Sequence, residues 1–499
     1  MKTFNKLFAA GLLALSVGSL ASAQVILNVA GSTAFRTAAV NGEIAAASFA
    51  ATSTVAVPVA QAATSGYTLL PGSTATNGAV ISIVHGWLVD GTEVYYRNHW
   101  TGACAGPADL TIGNQTLSWI PATPAILAQL TTSGFGFPVG TEAVDSTAPS
   151  VAFSDSQFLD AQNSVVTQGT VGKAFAGIMS TAVANEGLSD AGAGTPVGAV
   201  VFEWVLGVQG DGNPAPFTNI TQQQAAALIK TGFLPLSVFT GNAADSSNYV
   251  ILTGRNEDSG TRYDTFAESQ TGFGQNAVQF MIKQANHAYP ANNLYPFSSG
   301  TALSVDTGIA GFQSWPKTAG ANSWAFNTDP TLDWKTPGHS GYINGGDVAT
   351  ILRTPNPVVT TGWVVPAATQ ALFPSFTPGT TKVYVISYLG VSDGNKITSG
   401  NAVNGTALTY NGVSFSTSNV ANGNYSFWAY EHEYYLTGAP VATAYGTTNP
   451  VGLGTGAQEA ADAIANTLVG LTQAQLGAAG VPYPSLQAVR GNSAGSFIN

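Results

Sequence analysis

Short apolar runs alternate with helical patterns along much of the chain, and turns rich in glycine and hydroxyl residues join them. Residues 25–30 form such a run, which precedes the turn 31–33, Gly-Ser-Thr, and an alanine-rich helical pattern. The same order recurs where the run 249–253 precedes a tight turn and a helical pattern over residues 261–269. Strands that alternate with helices indicate open α/β sheets, which bind ligands at the carboxyl ends of their strands.

Other elements are predicted from shorter signals. Residues 197–206 form a continuous apolar strand that is suited to cross between two domains. Thr221 and Gln224 have the spacing of a capping box, which predicts a helix over residues 225–230. Amphipathic periodicity predicts a helix over residues 458–468. Further strands are predicted at residues 93–96, at 382–388 and just before the carboxylate of Asp155.

Two long segments interrupt this alternation. Residues 107–150 are rich in threonine, proline and glycine, and we expect a surface insertion there, with short strands. Residues 286–380 are rich in proline, glycine, asparagine and tryptophan, and we expect them to be irregular. Four tryptophans are expected in the core: Trp87, Trp100, Trp204 and Trp428.

The first residues have the pattern of an exported precursor. Lys2 and Lys6 precede an apolar run over residues 7–20, and the small residues 21–23 match a signal-peptidase site. We therefore expect residues 1–23 to be a cleaved signal peptide and the mature protein to be periplasmic or secreted. The apolar run is too short for a stable membrane span. No cysteine lies at the cleavage site, so we expect no lipid anchor.

Charge is sparse, at 8% of residues, and the net charge is −11. A negative chain is a poor partner for nucleic acid and repels anions at long range. An anion site would therefore depend on local dipoles and a few cations. The single cysteine, Cys104, excludes an intramolecular disulfide. The low charge would also suit a cell-surface or matrix protein.

The most informative motif is the turn 254–262, Gly-Arg-Asn-Glu-Asp-Ser-Gly-Thr-Arg, which follows a predicted strand. A helix that starts at Ser-Gly-Thr directs backbone N–H groups and hydroxyls to one point, and here a guanidinium lies beside them. These groups are suited to hold a small oxyanion. The simpler interpretation is that Ser-Gly-Thr is only a helix cap, that residues 31–33 are a common helix start and that Asp155 is a loop carboxylate.

The combination of motifs resembles the periplasmic phosphate-binding proteins of ABC importers. The loop Arg255-x-Glu257-x-Ser259-Gly260-Thr261 is similar to the family's Arg-x-(Asp/Glu)-x-Ser-Gly-Thr loop. Ser154-Asp155 resembles the family's Ser-Asp pair, and residues 31–35 resemble its N-terminal glycine-rich turn. Residues 408–413 and 422–428 resemble late family segments with structural roles.

The resemblance implies an α/β protein with the two-lobed type 2 periplasmic-binding-protein fold, a ligand cleft between the lobes, and long insertions. Lobe one would comprise residues 24–198 and 410–499, and lobe two residues 199–409. The implied partners are inorganic phosphate and the membrane permease of an ABC importer. A monomer with no cofactor, no metal and no catalytic residue is expected.

The resemblance also implies a set of phosphate-binding residues that provide hydroxyls, backbone N–H groups, one cation and one carboxylate acceptor. These are Thr33, Ala34, Phe35, Asp155, Arg255, Ser259, Gly260 and Thr261. Glu257 would hold the guanidinium of Arg255, and Ser32, Thr101 and Ser154 are additional candidates. The family has a ligand-binding serine in its second glycine turn, whereas residues 102–106, Gly-Ala-Cys-Ala-Gly, have none. Thr101 or a backbone N–H would have to replace it.

Signals for enzymatic activity are weak. Residues 491–495 match a nucleophile-elbow pattern, but the acid and histidine that follow the serine in that fold are missing. In Glu431-His432-Glu433 the alternation of a strand directs His432 away from its neighbours, so no metal site is predicted. Two alternatives to transport remain. One is a surface or matrix protein that keeps the fold, and the other is a phosphoester hydrolase.

Overall fold

The computed structural model describes most of the chain in segments. The described residues are 24–47, 66–69, 81–100, 102–103, 106, 110, 117–122, 145–155, 188–190, 196–211, 213–255, 259–271, 278–287, 303–314, 341–342, 345–356, 360–401, 404–436, 454–477 and 480–490. The predicted signal peptide, Thr101 and Glu257 lie outside them.

The strands within these segments are β1 (Val25–Gly31), β2 (Gly66–Leu69), β3 (Ile81–Trp87), β4 (Glu93–His99), β5 (Leu117–Trp119), β6 (Asp145–Thr147), β7 (Val151–Ser154), β8 (Leu188–Asp190), β9 (Gly198–Leu206), β10 (Asn219–Ile220), β11 (Phe233–Pro235), β12 (Tyr249–Leu252), β13 (Phe280–Gln284), β14 (Ile309–Ser314), β15 (Val383–Gly390), β16 (Thr406–Ala407), β17 (Thr409–Tyr410), β18 (Trp428–Leu436) and β19 (Gly480–Val481). The helices are α1 (Arg36–Ala46), α2 (Gln222–Thr231), α3 (Ser237–Thr240), α4 (Gly260–Glu268), α5 (Gly345–Arg353), α6 (Ala367–Gln370), α7 (Val391–Thr398), α8 (Thr417–Ala421), α9 (Thr455–Gly470) and α10 (Gln473–Leu476). Short 3₁₀ turns lie at Ala243–Asp245 and Tyr483–Ser485.

One large mixed sheet organises these elements, in the order β11-β12-β15-β9-β18-β7-β1-β4-β3-β2. Strand β1 is parallel to β4 and β7, and β12 is parallel to β15. The antiparallel strands β9 and β18 join these two groups, because the first half of β9 pairs with β18 and its second half with β15. The predicted mixed α/β class is confirmed.

The strand and helix predictions around the two main turns are confirmed. Helix α2 begins with the predicted capping box, in which the Thr221 hydroxyl accepts from the Gln224 N–H at 3.2 Å and Gln224 Oε1 accepts from the Thr221 N–H at 2.8 Å. The helix ends at Gly232, whose φ of +78° is accessible to glycine at little cost. The apolar strand β9 is buried along its whole length, as its sequence predicts.

The core contains the four tryptophans that were expected there, all of them buried: Trp87, Trp100, Trp204 and Trp428. A large apolar cluster contains side chains of the β1 and β9 strands and of helix α9. A second cluster packs helix α5 and the β13–β14 pair against β12 and β15.

The structure corrects two predictions about the long segments. Residues 107–150 are not purely a surface insertion, because Leu117, Trp119 and Ile120 are buried and Trp119 Nε1 donates to the Thr147 carbonyl at 2.8 Å. Residues 286–380 are not uniformly irregular, because they contain strand β14 and the helices α5 and α6. Packing against the sheet outweighs the low propensity of these proline- and glycine-rich sequences.

Within the described segments, no helix is both long and apolar enough to cross a membrane. The predicted limits of the two lobes remain a prediction. The strand order groups β11, β12 and β15 on one side of β9 and β18, and β7, β1, β4, β3 and β2 on the other.

Candidate functional site

The first candidate segment lies in the turn after strand β1 and packs closely against Gly102 and Gly106. Gly31 has a φ of +114°, and a Cβ atom on it would lie 2.0 Å from the Phe153 carbonyl oxygen. The Gly102 N–H donates to the Gly31 carbonyl at 2.8 Å, and a Cβ atom on Gly106 would lie 2.4 Å from the Gly31 Cα. Only glycines allow these backbones to approach so closely.

The Ser154-Asp155 pair lies at the carboxyl end of strand β7, beside that turn. The Ser32 N–H donates to the Phe153 carbonyl at 2.8 Å, and the Ser154 hydroxyl donates to the Ala103 carbonyl at 2.7 Å. Both serines are fully buried, and Asp155 is almost so. These contacts bring three segments together that are separated by about fifty to about 120 residues of sequence.

The Ser-Gly-Thr segment reaches the same point from the other strand group. It opens helix α4 directly after β12 and a short turn. A Cβ atom on Gly260 would lie 1.7 Å from Asp155 Oδ1 and 2.5 Å from the Ala103 Cβ. The backbone of Gly260 therefore lies in close contact with the Asp155 carboxylate, and the start of α4 lies next to the end of β7.

Arg255 is buried beside this contact and is held through its own backbone and side chain. Its Nε donates to the Tyr342 carbonyl at 3.3 Å, and its carbonyl accepts from Arg262 Nη1 and from Gln279 Nε2, each at 3.2 Å. The Tyr388 hydroxyl in turn donates to Gln279 Oε1 at 3.1 Å. Anchors of this kind hold the guanidinium in one place and so lower the entropic cost of binding a ligand.

Burial lowers the pKa of Arg255, and nearby negative charges oppose that change. The carboxylates among them are Asp393, Asp155 and Asp347. Asp347 lies in the first turn of α5 and Asp393 in the first turn of α7. Sequence analysis did not identify either aspartate, because they lie about ninety residues or more from Arg255 in the chain and only tertiary structure brings them close to it.

Two candidate hydroxyls accept backbone hydrogen bonds, Ser259 as the cap of helix α4 and Ser32 in the turn before helix α1. The Ser259 hydroxyl accepts from the Arg262 N–H at 3.3 Å, and the Ser32 hydroxyl accepts from the Phe35 N–H at 3.3 Å. The Phe35 N–H is therefore directed to Ser32 in this structure. A hydroxyl that accepts one hydrogen bond still has its own proton to donate. The capping interpretation and the anion-binding interpretation of these serines are thus compatible.

The remaining candidates lie around the same point. Thr261 is buried in the first turn of α4, and its carbonyl accepts from the Thr265 hydroxyl at 2.6 Å. Thr33 and Ala34 are half-buried. The Ala34 Cβ lies close to Gly390, since a Cβ atom on that glycine would be 3.5 Å away. Gly390 caps helix α7, so this helix also begins next to the turn after β1.

Two further buried carboxyl groups, which the sequence analysis did not select, lie near Asp155. Asp264 is on helix α4, and Glu431 is on strand β18. Asp264 could have been found from its position four residues after Gly260, since such residues share a helix face. Glu431 was noticed only as a weak metal candidate. The part of the chain that the structure describes contains no group of three or more His, Cys, Asp or Glu residues that could hold a metal ion.

No protein-family model matches the chain, and no curated protein matches it. Solved structures resemble it at low identity. A substrate-binding protein from Clostridium perfringens, assigned to phosphate ABC transport and solved with bound phosphate, has 9% identity and a TM-score of 0.33 over 89% of this chain and 93% of its own. An ABC-type phosphate transport receptor from Vibrio cholerae has 11% identity and a TM-score of 0.32 over 89% and 97%. PstS from Borrelia burgdorferi has 10% identity and a TM-score of 0.28 over 82% and 86%.

The solved structures that resemble the chain thus include phosphate-transport receptors. At this low sequence identity these structures do not identify the ligand of this chain. The residues of the chain itself are the evidence for its ligand.

Proposed function

We propose that this protein is an extracytoplasmic solute-binding protein that captures inorganic phosphate for import by an ABC transporter. Phosphate would be bound where the start of helix α4 meets the end of strand β7. The ligand would contact the Ser32 hydroxyl, the backbone N–H groups and hydroxyls of residues 33–34 and 259–261, the guanidinium of Arg255 and the carboxylate of Asp155. The Phe35 N–H would join them by turning from the Ser32 hydroxyl to the ligand. The protein would act as a monomer and would catalyse no reaction.

The observation that carries this proposal is the contact between Gly260 and Asp155 beside Arg255. It joins a helix N-terminus, a buried cation and a buried carboxylate, which come from segments far apart in the chain. Helix starts and a guanidinium stabilise an anion, whereas a carboxylate repels one unless the anion carries a proton. A protonated oxyanion satisfies all three groups.

Phosphate meets this condition and sulfate does not. Near neutral pH phosphate still carries at least one proton. The O–H group of phosphate would donate a hydrogen bond to the Asp155 carboxylate. Sulfate carries none and would leave Asp155 as a buried carboxylate facing bare oxygens. A buried charge left without its partner costs about 2–5 kcal/mol, which corresponds to roughly 10²–10³ in affinity.

Titration calorimetry with phosphate and with sulfate tests the proposal on mature protein freed of endogenous ligand. Arg255→Ala should weaken phosphate binding, and Asp155→Asn should reduce the preference for phosphate over sulfate. Arg353→Ala and Asp211→Asn are matched controls, because Arg353 bonds Asn401 and Asp211 bonds Asn213 in an exposed turn. Both controls should bind phosphate as the wild type does.

The alternatives predict different results. A surface or matrix protein that keeps the fold would show no heat of binding for phosphate although the protein is folded. A phosphoester hydrolase would turn over a generic phosphomonoester such as p-nitrophenyl phosphate. Binding of phosphate without such turnover would support the proposed function over both.

A further inference from the structure

Helix α4 has a buried carboxyl group, that of Asp264, on the side that faces Asp155. Asp264 follows Gly260 by four residues, and residues at this spacing share a helix face. It is fully buried, and neither of its carboxyl oxygens forms a hydrogen bond with the residues that the structure describes. Burial and the charge of Asp155 raise its pKa well above the usual range; Arg490 opposes this rise and Glu268 adds to it. An ionised carboxylate in such a place would be very costly.

Glu431 reaches the same place from the crossing strand β18. His432 pairs with Ser154 in the antiparallel register, so Glu431 lies opposite Asp155. Glu431 is fully buried, and the Ser32 hydroxyl lies near it but outside good hydrogen-bond geometry. Burial and the charge of Asp155 raise its pKa well above the usual range, Ser32 opposes this rise, and Asp264 adds to it.

Among the residues that the structure describes, three buried guanidinium groups lie around this point; Arg262 donates to the Arg255 carbonyl, and the other two face acidic groups. Arg255 is faced by three carboxylates, those of Asp393, Asp155 and Asp347. The buried guanidinium of Arg490 pairs with Glu268 at 3.2 Å. If Asp264 and Glu431 were also ionised, the site would repel any anion. If both are protonated, they add no charge and each supplies an O–H donor.

We propose that Asp264 and Glu431 are neutral carboxylic acids that bind the captured anion through their O–H groups, so that anion binding is coupled to proton binding by the protein. This inference rests on the proposed function, because it assigns new residues to the same site. It differs from the role of Asp155, whose carboxylate accepts a hydrogen bond from the protonated oxygen of the ligand. The two new carboxyl groups keep their own protons and donate them in hydrogen bonds.

A pH dependence follows from this arrangement. Above the pKa of either group the free protein loses that proton, and an anion can then bind only if the proton is taken up again. Each such proton weakens binding about tenfold per pH unit. Asparagine and glutamine are neutral donors at every pH, so Asp264→Asn with Glu431→Gln should remove this part of the dependence. The titration of phosphate itself is common to all variants and cancels in the comparison.

The experiment is calorimetric titration of inorganic phosphate between pH 6 and pH 9 on wild type and on the double variant. Each titration is repeated in two buffers of different ionisation enthalpy, which counts the protons taken up. Glu43→Gln is the control for replacing a buried carboxyl group, since Glu43 bonds Asn98 on strand β4 away from this cluster. The single variants serve as a second measurement if the double variant does not fold, as judged by circular dichroism.

The inference holds if two results are obtained: wild type loses at least about tenfold more affinity than the double variant across this pH range, and wild type takes up more protons on binding. The Glu43→Gln control should show the same pH slope and the same proton uptake as wild type. Equal pH slopes and equal proton counts in wild type and double variant would overturn it, while phosphate binding itself would leave the proposed function intact. Folded wild type that binds no phosphate at any pH would overturn both.

Discussion

Replacing Gly260 by alanine should remove tight phosphate binding by displacing the start of helix α4 or the Asp155 carboxylate. The new methyl group would lie 1.7 Å from Asp155 Oδ1, which is half the lower limit of 3.4 Å for an ordinary van der Waals contact. The Ala103 Cβ, at 2.5 Å, closes the other direction. Either the carboxylate or the helix start must move by well over 1 Å. A displacement of that size breaks a buried charged hydrogen bond, and we expect a loss of roughly 10²–10³ in affinity.

The same substitution should also lower the stability of the folded state, because overpacking against Asp155 and Ala103 costs about 1–3 kcal/mol. The preference of a helix for alanine over glycine, up to about 1 kcal/mol in a helix interior, does not offset this cost, although the Ser259 cap is retained. Calorimetric titration with phosphate and thermal unfolding measure the two effects on one sample. Gly470→Ala in helix α9 is the matched control, because nothing lies within 4 Å of the position of its Cβ. Phosphate affinity of Gly260→Ala within twofold of wild type would refute the reasoning.

Three further predictions concern stability. Burial, opposed by the hydrogen bond from Asn98, raises the pKa of Glu43 from 4.5 to about 8. The folded state therefore keeps a proton that the unfolded state loses, and stability falls by roughly 1 kcal/mol per unit as pH rises from 4.5 to about 8. Glu43→Gln should remove this slope, and denaturant unfolding at pH 5 and pH 8 would contradict the prediction if both proteins changed equally. Thr221→Ala removes the capping box of α2 and should cost about 1 kcal/mol with phosphate affinity unchanged; an unchanged denaturation midpoint would argue against this role. Glu268→Ala leaves the buried guanidinium of Arg490 without this carboxylate and should cost roughly 3–5 kcal/mol, so a loss below 1 kcal/mol in denaturant unfolding would show that the pair matters little.

Local features were predictable because their causes are local. The run of apolar residues in β12, the Ser259 cap and the helix pattern after it depend on neighbours in the chain. The same holds for the capping box at Thr221 and for the Gly31 turn, whose backbone conformation requires glycine. Composition failed where packing decides the outcome. Helix α5 forms in a segment rich in proline and glycine because its apolar face is buried against β15.

The sequence by itself determined the mixed α/β class and the candidate motifs around Asp155 and Arg255. Only the tertiary structure decided which groups surround them. Asp264 and Glu431 lie more than a hundred residues from Asp155 in the chain, and the register of β18 and the direction of α4 bring them together. No local pattern encodes that convergence, because it depends on the order and pairing of strands that are distant in sequence. Their burial together is what raises the pKa of these carboxyl groups.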